Sequence, residues 1–188
     1  MKVKNLILTA VFVFGFLFAN SQIVSKGDKI LNLGLGIGNN YYSGAGYSST
    51  FPPLSGSLEV IVNDDLFNDG KGALGVGGYA GYFGYKYNYH YTNYNYEWKY
   101  SNFVLGPRGY VHYNFLDKLD TYTGLLLGYN IVSWSGGGDN VTGYSAAGSG
   151  VIWSWFLGGR YYFNDNLAVM MELGYGISYL NIGVAFHL

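Results

Sequence analysis

The sequence predicts an all-β fold, an eight-stranded antiparallel up-and-down transmembrane β-barrel preceded by a cleavable signal peptide. Three observations favour this fold. Apolar residues recur at every second position in eight separate segments, which is the pattern of half-buried strands. Only 11% of the residues are charged, against ~25% in a typical globular domain. Aromatic residues reach 20%, and there are 30 glycines but only 3 prolines.

The first 21 residues have the organisation of a secretory signal peptide. Lys2 and Lys4 give a positive start, residues 6–18 form an apolar run, and small residues follow before the expected cleavage point. The run is too short for a membrane-spanning helix, which needs ~20 apolar residues. We therefore expect a signal peptide over residues 1–21 and a single outer-membrane β-barrel domain over residues 22–188.

Charge and cysteine content exclude several classes of function. The formal net charge is −1, and removal of Lys2 and Lys4 with the signal peptide makes it −3. A nucleic-acid partner is not expected, because no basic patch is available to neutralise phosphates. The chain has no cysteine, which excludes disulfides and thiolate chemistry. No cofactor, metal site or catalytic group is expected.

The alternation divides each of the eight segments into two different faces. One face is mostly Leu, Ile, Val and aromatic, and the other is mostly Gly, Ser and Tyr with isolated charges. A membrane barrel needs an apolar belt outside and a polar interior, and a soluble barrel or sandwich is the alternative. Phe103 and Tyr113 would lie ~23 Å apart along the membrane normal at ~45° tilt, close to the ~25 Å apolar band. The segments are residues 31–38, 57–62, 74–82, 103–115, 122–131, 151–163, 167–176 and 180–188.

The connections between segments predict the orientation of the barrel. Two of them, residues 116–121 and 164–166, are short, and together with residues 63–72 they carry most of the acidic residues. The other three are longer and rich in Gly, Ser, Asn and Tyr, and they are residues 39–53, 86–99 and 135–149. Short turns lie in the periplasm and long loops outside the cell. Both chain ends are then expected on the periplasmic side.

An alternating run of tyrosines fills the second of these long connections. A two-residue turn at Thr92-Asn93 would place eight rings on one face, where aromatic cross-strand pairs contribute ~0.2–1 kcal/mol each. The pairs would be Tyr91 with Tyr94, Tyr89 with Tyr96, Tyr87 with Trp98 and Tyr85 with Tyr100. Lys86 opposite Lys99 is an unfavourable detail. The rings either stiffen a protruding hairpin or form a surface that stacks on sugars or an extracellular partner.

Four charged residues point into the lumen in this register. Glu59, Arg108, Arg160 and Glu172 should pair, because a lone charge in a narrow interior is costly. A three-residue turn at 164–166 puts Arg160 opposite Met170 and within reach of Glu172 on the diagonal. We interpret the four as a structural plug, with an ion or proton path as the alternative. An eight-stranded interior is too narrow for a porin.

Residues 105–131 and 158–188 resemble the outer-membrane β-barrel domain family, the small OmpA/OmpX-like eight-stranded barrels of Gram-negative bacteria. The C-terminus also resembles the signal read by the barrel-assembly machinery, although such chains more often end in an aromatic residue. The positions that fit are Asn181, Gly183, Phe186 and Leu188. The resemblance implies an outer-membrane location, a lipid environment and assembly through the C-terminal strand, but no single activity.

These inferences predict a non-enzymatic outer-membrane barrel with a plugged polar interior and Tyr-rich extracellular loops. Its expected role is surface interaction or envelope integrity, with an extracellular glycan or protein as the possible ligand. A carrier for a small apolar ligand and an assembly or secretion accessory remain the alternatives. Catalysis is not expected. His112 and His187 face the periplasmic half of the lumen, and no partner completes a catalytic group with His90.

Overall fold

The computed structural model describes residues 23–38, 46–67, 69–91, 94–137 and 148–188. These residues form eight antiparallel strands in one closed barrel, in which each strand pairs with its neighbours in sequence and β1 closes on β8. The strands are β1 Lys29–Ile37, β2 Tyr47–Asn63, β3 Gly72–Tyr91, β4 Tyr94–Leu116, β5 Leu119–Gly137, β6 Gly150–Tyr162, β7 Leu167–Tyr175 and β8 Leu180–His187. The predicted eight-stranded antiparallel up-and-down barrel is confirmed. Within the described part of the chain, no helix is long and apolar enough to cross a membrane.

The β3–β4 ladder has the register that the sequence predicts. Gly77 lies opposite Arg108, Tyr79 opposite Gly106, and the ladder continues unbroken to Tyr91 opposite Tyr94. Each large lumen residue therefore faces a small one, as a narrow eight-stranded interior requires. The turn residues 92–93 and the proposed signal peptide lie outside the described residues.

Several strands are longer than the alternation predicts. β2 begins at Tyr47, β3 and β4 stay paired through most of residues 86–99, and β5 runs to Gly137. The predicted connections 39–53 and 135–149 therefore begin or end within strands. The register of β2 against β3 shifts on both sides of Phe51, next to Pro52-Pro53. Proline lacks the N–H that a ladder needs, so this irregularity is the physical consequence of the sequence.

The apolar face points outward along every strand. Leu125 on β5 is 60% exposed and Val151 on β6 is 73% exposed, whereas the residues next to them in the alternation point inward. Aromatic pairs such as Tyr113–Phe115 and Tyr161–Phe163 lie on this face near the short turns. An exterior of this kind is the lipid-facing surface of a transmembrane barrel.

Side chains fill the lumen in successive layers. We call the end of the barrel with the short turns the turn end, and the opposite end the loop end. An apolar cluster lies at the turn end, a charged layer and an aromatic layer of Tyr110, Tyr122 and Phe156 lie above it, and a second apolar cluster lies toward the loop end. The turn-end cluster includes Val24, which precedes β1 and is fully buried. Hydrogen bonds from Gly27 N to Ile61 O and from Ile61 N to Asp28 O fix this segment to β2.

Candidate functional site

The four predicted lumen charges are buried and form two ion pairs. Arg160 Nη2 lies 2.6 Å from Glu59 Oε2, and Arg108 Nη2 lies 3.0 Å from Glu172 Oε2. Arg160 lies opposite Met170 and diagonal to Glu172, as predicted, but it pairs with Glu59 while Glu172 pairs with Arg108. Arg160 reaches across the lumen from β6 to β2, and a pairing rule based on adjacent strands does not include such contacts.

Asp120 and His112 belong to the same network and were not predicted to do so. Asp120 is the direct cross-strand neighbour of Arg160, and its Oδ2 lies 2.9 Å from Arg160 Nη1. Asp120 was expected to lie in the connection 116–121, but that connection is a turn of only two residues, with Leu116 paired to Leu119. Asp120 lies two residues before the inward-facing Tyr122, and this spacing was the sequence signal that could have placed it in the lumen.

His112 lies between two carboxylates. Its Nδ1 is 2.9 Å from Asp120 Oδ1 and its Nε2 is 2.5 Å from Glu59 Oε1. An ionised carboxylate only accepts hydrogen bonds, so both contacts are satisfied when both ring nitrogens donate. A doubly protonated His112 would also balance the layer, which holds Glu59, Asp120 and Glu172 against two arginines. The balance of two acids and two bases expected from the sequence was therefore incomplete.

Hydrogen bonds to uncharged side chains extend the network. Arg160 Nε donates to Asn32 Oδ1 at 3.0 Å, and Asn32 Nδ2 donates to Ser57 Oγ at 3.1 Å. The hydroxyl of Tyr110 donates to the same Ser57 oxygen at 3.2 Å. These bonds connect β1, β2, β4 and β6 through the lumen. A buried ion pair is stable only when such additional bonds satisfy its remaining polar atoms.

Aromatic rings close the lumen beside the arginines. Arg108 Cζ lies 3.6 Å from the ring centroid of Phe156, and Arg160 Cζ lies 4.2 Å from that of Tyr122. Tyr122 also donates to Glu172 Oε1 at 2.9 Å. The cavity next to Arg108 has a volume of about 30 Å³, which is room for roughly two water molecules. At this depth the interior is filled by side chains.

The aromatic hairpin surface begins where the lumen opens at the loop end. We define it as the lumen-parity positions of the upper β3–β4 hairpin, whose ring pairing follows the predicted register. Tyr85 is buried, Tyr87 lies 5.8 Å from Trp98, and Tyr47 of β2 adds a ring 4.7 Å from Tyr87. Tyr100 faces Tyr85. The predicted side chains at Tyr89, Tyr91, Tyr94 and Tyr96, with that of His90, lie outside the described residues.

The opposite face of the hairpin carries charges. Lys86 does face Lys99, as predicted, but Glu97 lies between the two ammonium groups. Its oxygens are 3.1 Å from Lys99 Nζ and 3.7 Å from Lys86 Nζ. The hydrogen bond from Lys99 lowers the pKa of Glu97 below its ordinary value, and the positive charge of Lys86 acts in the same direction. Glu97 thus offsets the lysine repulsion that the sequence suggests.

The C-terminal strand supplies residues to both faces of the barrel. Asn181 is buried, and its Nδ2 donates to Ser55 Oγ at 3.1 Å. Gly183 packs so closely on β1 that a Cβ there would meet the Leu33 carbonyl oxygen. Phe186 is half-buried and Leu188 is 67% exposed. Near this terminus His187 Nε2 lies 3.1 Å from Asp28 Oδ2.

Solved structures with a similar fold are small membrane barrels. A de novo designed transmembrane β-barrel matches with a TM-score of 0.46 and 17% identity, over 88% of this chain and 98% of the designed one. Ail, the attachment invasion locus protein of Yersinia pestis, solved with the heparin analogue sucrose octasulfate, matches with a TM-score of 0.42 and 15% identity, over 87% and 99%. The N-terminal β-barrel domain of Pseudomonas aeruginosa OprF matches with a TM-score of 0.38 and 15% identity, over 87% and 98%. No protein-family model and no curated protein sequence matches the chain.

Proposed function

We propose that this chain is a non-enzymatic integral outer-membrane protein of a Gram-negative bacterium that acts through its aromatic hairpin surface. Its role is surface interaction or envelope integrity rather than transport. The observation that carries this proposal is the contrast between the two halves of one continuous face. Below, the face is closed by Arg160, Glu59 and Asp120, all fully buried. Above, the same face continues past the barrel mouth as Tyr87 and Trp98.

The closed lumen makes a direct prediction for electrical recordings. In planar bilayers the purified barrel should give no sizeable, solute-dependent conductance, because the charged layer fills the interior. The matched test is the double variant Arg160→Ala/Tyr122→Ala, which shortens one side chain of the charged layer and one of the aromatic layer above it. If the wild-type protein already shows a sizeable, solute-dependent conductance, the plugged barrel is excluded.

Replacement of the described rings tests the aromatic hairpin surface. In the variant Tyr47→Ser/Tyr87→Ser/Trp98→Ser, binding to immobilised glycans or to host cells should fall while the barrel still folds. Folding is read from the heat-dependent mobility shift on gels. Asn88→Ser, on the other face of β3, is the matched control. Lower heat resistance with unchanged binding would leave only a stiffening role, and would favour envelope integrity over surface interaction.

Export and assembly are proposed to depend on the two ends of the chain. Residues 1–21 would direct secretion, and Asn181, Gly183, Phe186 and Leu188 would present the C-terminal strand to the barrel-assembly machinery. Phe186→Ser should reduce the amount of assembled barrel in the outer membrane, whereas refolding of the purified variant into detergent should change little. Equal losses in cells and in detergent would mean that Phe186 only stabilises the barrel.

A further inference from the structure

An apolar groove runs across the lipid-facing surface on one side of the barrel. We call it the lateral groove. Its volume is about 660 Å³, and it crosses β8, β1, β2, β3 and β4. Gly56 and Ala80 form its floor, and Leu33, Leu54, Tyr82 and Ile182 are among the larger residues around them.

The groove lies where two small residues are paired between larger ones on the outer face. Gly56 of β2 lies directly opposite Ala80 of β3 in the ladder, and opposite Leu33 on its other side. The larger residues above and below are Leu54 and Leu58 on β2. The surface is therefore indented by the missing side chains, and its lining is apolar. In a bilayer such an indentation is adjacent to lipid chains and not to water.

Two lysines lie above the groove on the same outward face. Lys86 follows Tyr82 by four residues on β3, and Lys99 precedes Phe103 by four residues on β4. Four residues correspond to ~13 Å along a strand and ~9 Å along the membrane normal at ~45° tilt. Each headgroup layer is ~5–8 Å thick, so the backbone of Lys86 and Lys99 lies just beyond its outer edge when Tyr82 and Phe103 mark the edge of the hydrocarbon. The long lysine side chains can reach back into the headgroup layer. With Glu97 between them, the three side chains carry a net charge of +1.

We propose that the lateral groove and the lysine pair form one binding site for an anionic membrane lipid. One acyl chain lies in the groove over Gly56 and Ala80, and the phosphate lies near Lys86 and Lys99. The occupant is a lipid of the leaflet at the loop end, because the charges lie at that end of the groove. This fixes a defined lipid on one side of the barrel, independently of any ligand at the aromatic hairpin surface.

Side chains added to the groove test the acyl-chain half of the site. Gly56→Leu and Ala80→Leu should each fill the groove and lower the number of phosphatidylglycerol molecules retained by the barrel in native mass spectra. A Cβ at Gly56 would be 3.6 Å from Leu33 Cδ2, an ordinary contact, so the first variant is compatible with folding. Gly78→Leu is the control, because Gly78 is on the same outer face of β3, has open space around it and does not line the groove. Equal retention in all three variants would overturn the proposal.

Lysine replacement tests the headgroup half. Lys86→Gln and Lys99→Gln should each weaken phosphatidylglycerol retention about fivefold, the usual effect of one basic residue at a membrane surface. Phosphatidylcholine retention should not change. Lys29→Gln, at the turn end, is the control for the loss of one positive charge, and Glu97→Gln should strengthen phosphatidylglycerol retention. If phosphatidylglycerol and phosphatidylcholine respond alike to both lysine variants, no headgroup site exists and the proposal fails.

Discussion

Arg160 connects more of the lumen than any other described side chain. It contacts Glu59 from β2, Asp120 from β5 and Asn32 from β1, and it packs over the Tyr122 ring. All of these groups are shielded from water. Removal of one partner from such a network leaves uncompensated buried charge, which costs more than the net contribution of the intact pair.

Arg160→Met should therefore destabilise the barrel by about 3–5 kcal/mol, the usual cost of breaking a buried pair. The loss is measured as the shift in urea-induced unfolding in detergent micelles. Glu59→Gln combined with Arg160→Met should recover part of the loss, because one of the two abandoned carboxylates is then neutral. If the double variant is as unstable as the sum of the two single variants, the two side chains are not energetically coupled.

Glu97 gives a prediction for pH outside the membrane. Because Lys99 and Lys86 lower its pKa, the ion pair contributes to hairpin stability above the ordinary glutamate pKa. That contribution is lost as the pH falls through the lowered pKa. In Lys99→Gln the pKa of Glu97 should rise toward its ordinary value, and in Lys86→Gln it should rise less. The measurement is a carboxyl titration by NMR, and identical midpoints in the wild-type protein and Lys99→Gln would contradict it.

At the scale of the strand, glycines on β3 have different functions on the two faces. Gly77 points into the lumen, and a Cβ there would meet the backbone carbonyl oxygen of Leu58. Gly78 points outward and has open space around it. Of these two neighbours, only Gly77 is needed for the close approach of β2 to β3.

Gly77→Ala should destabilise the barrel by about 1–3 kcal/mol, because the backbone of β2 must move to admit a methyl group. Gly78→Ala should change stability by less than about 0.5 kcal/mol, as expected for a surface substitution. Both are measured by urea unfolding under one set of conditions. If Gly78→Ala were the more damaging substitution, the assignment of inner and outer faces on β3 would be reversed.

Elements and register were predictable because alternation is a local signal. The turn predicted at Thr92-Asn93 was enough to predict the pairing of β3 with β4, since a slip by one residue would turn each side chain to the wrong face. Strand ends were less predictable. β3 and β4 stay paired beyond the membrane, where both faces are polar or aromatic and the alternation no longer separates lipid from lumen. Asp120 was missed because, in the sequence, a two-residue turn cannot be told from a longer acidic connection.

At the scale of the whole molecule, the lumen contacts could not be predicted from neighbouring strands. Arg160 and Glu59 are 101 residues apart and lie on strands separated by three others in either direction around the barrel. Such a contact depends on closure of the barrel and on the height of each residue inside it. The insertion of Val24 into the turn-end cluster depends on the same closure. The sequence shows which residues face inward, and the closed barrel determines which of them meet.

The depth of the barrel in the membrane gives a final prediction. Leu125 is outward-facing and paired to Gly109, near the middle of the span between Phe103 and Tyr113, whereas Leu116 is outward-facing at the turn end. Leu125→Arg should cost about 2–4 kcal/mol and Leu116→Arg about 0–1 kcal/mol, because charge on the lipid face is most unfavourable at the bilayer midplane. Both are measured from urea-dependent folding into phosphatidylcholine vesicles by tryptophan fluorescence. Equal costs, or a greater cost at Leu116, would mean that the apolar belt does not lie across the membrane at this height.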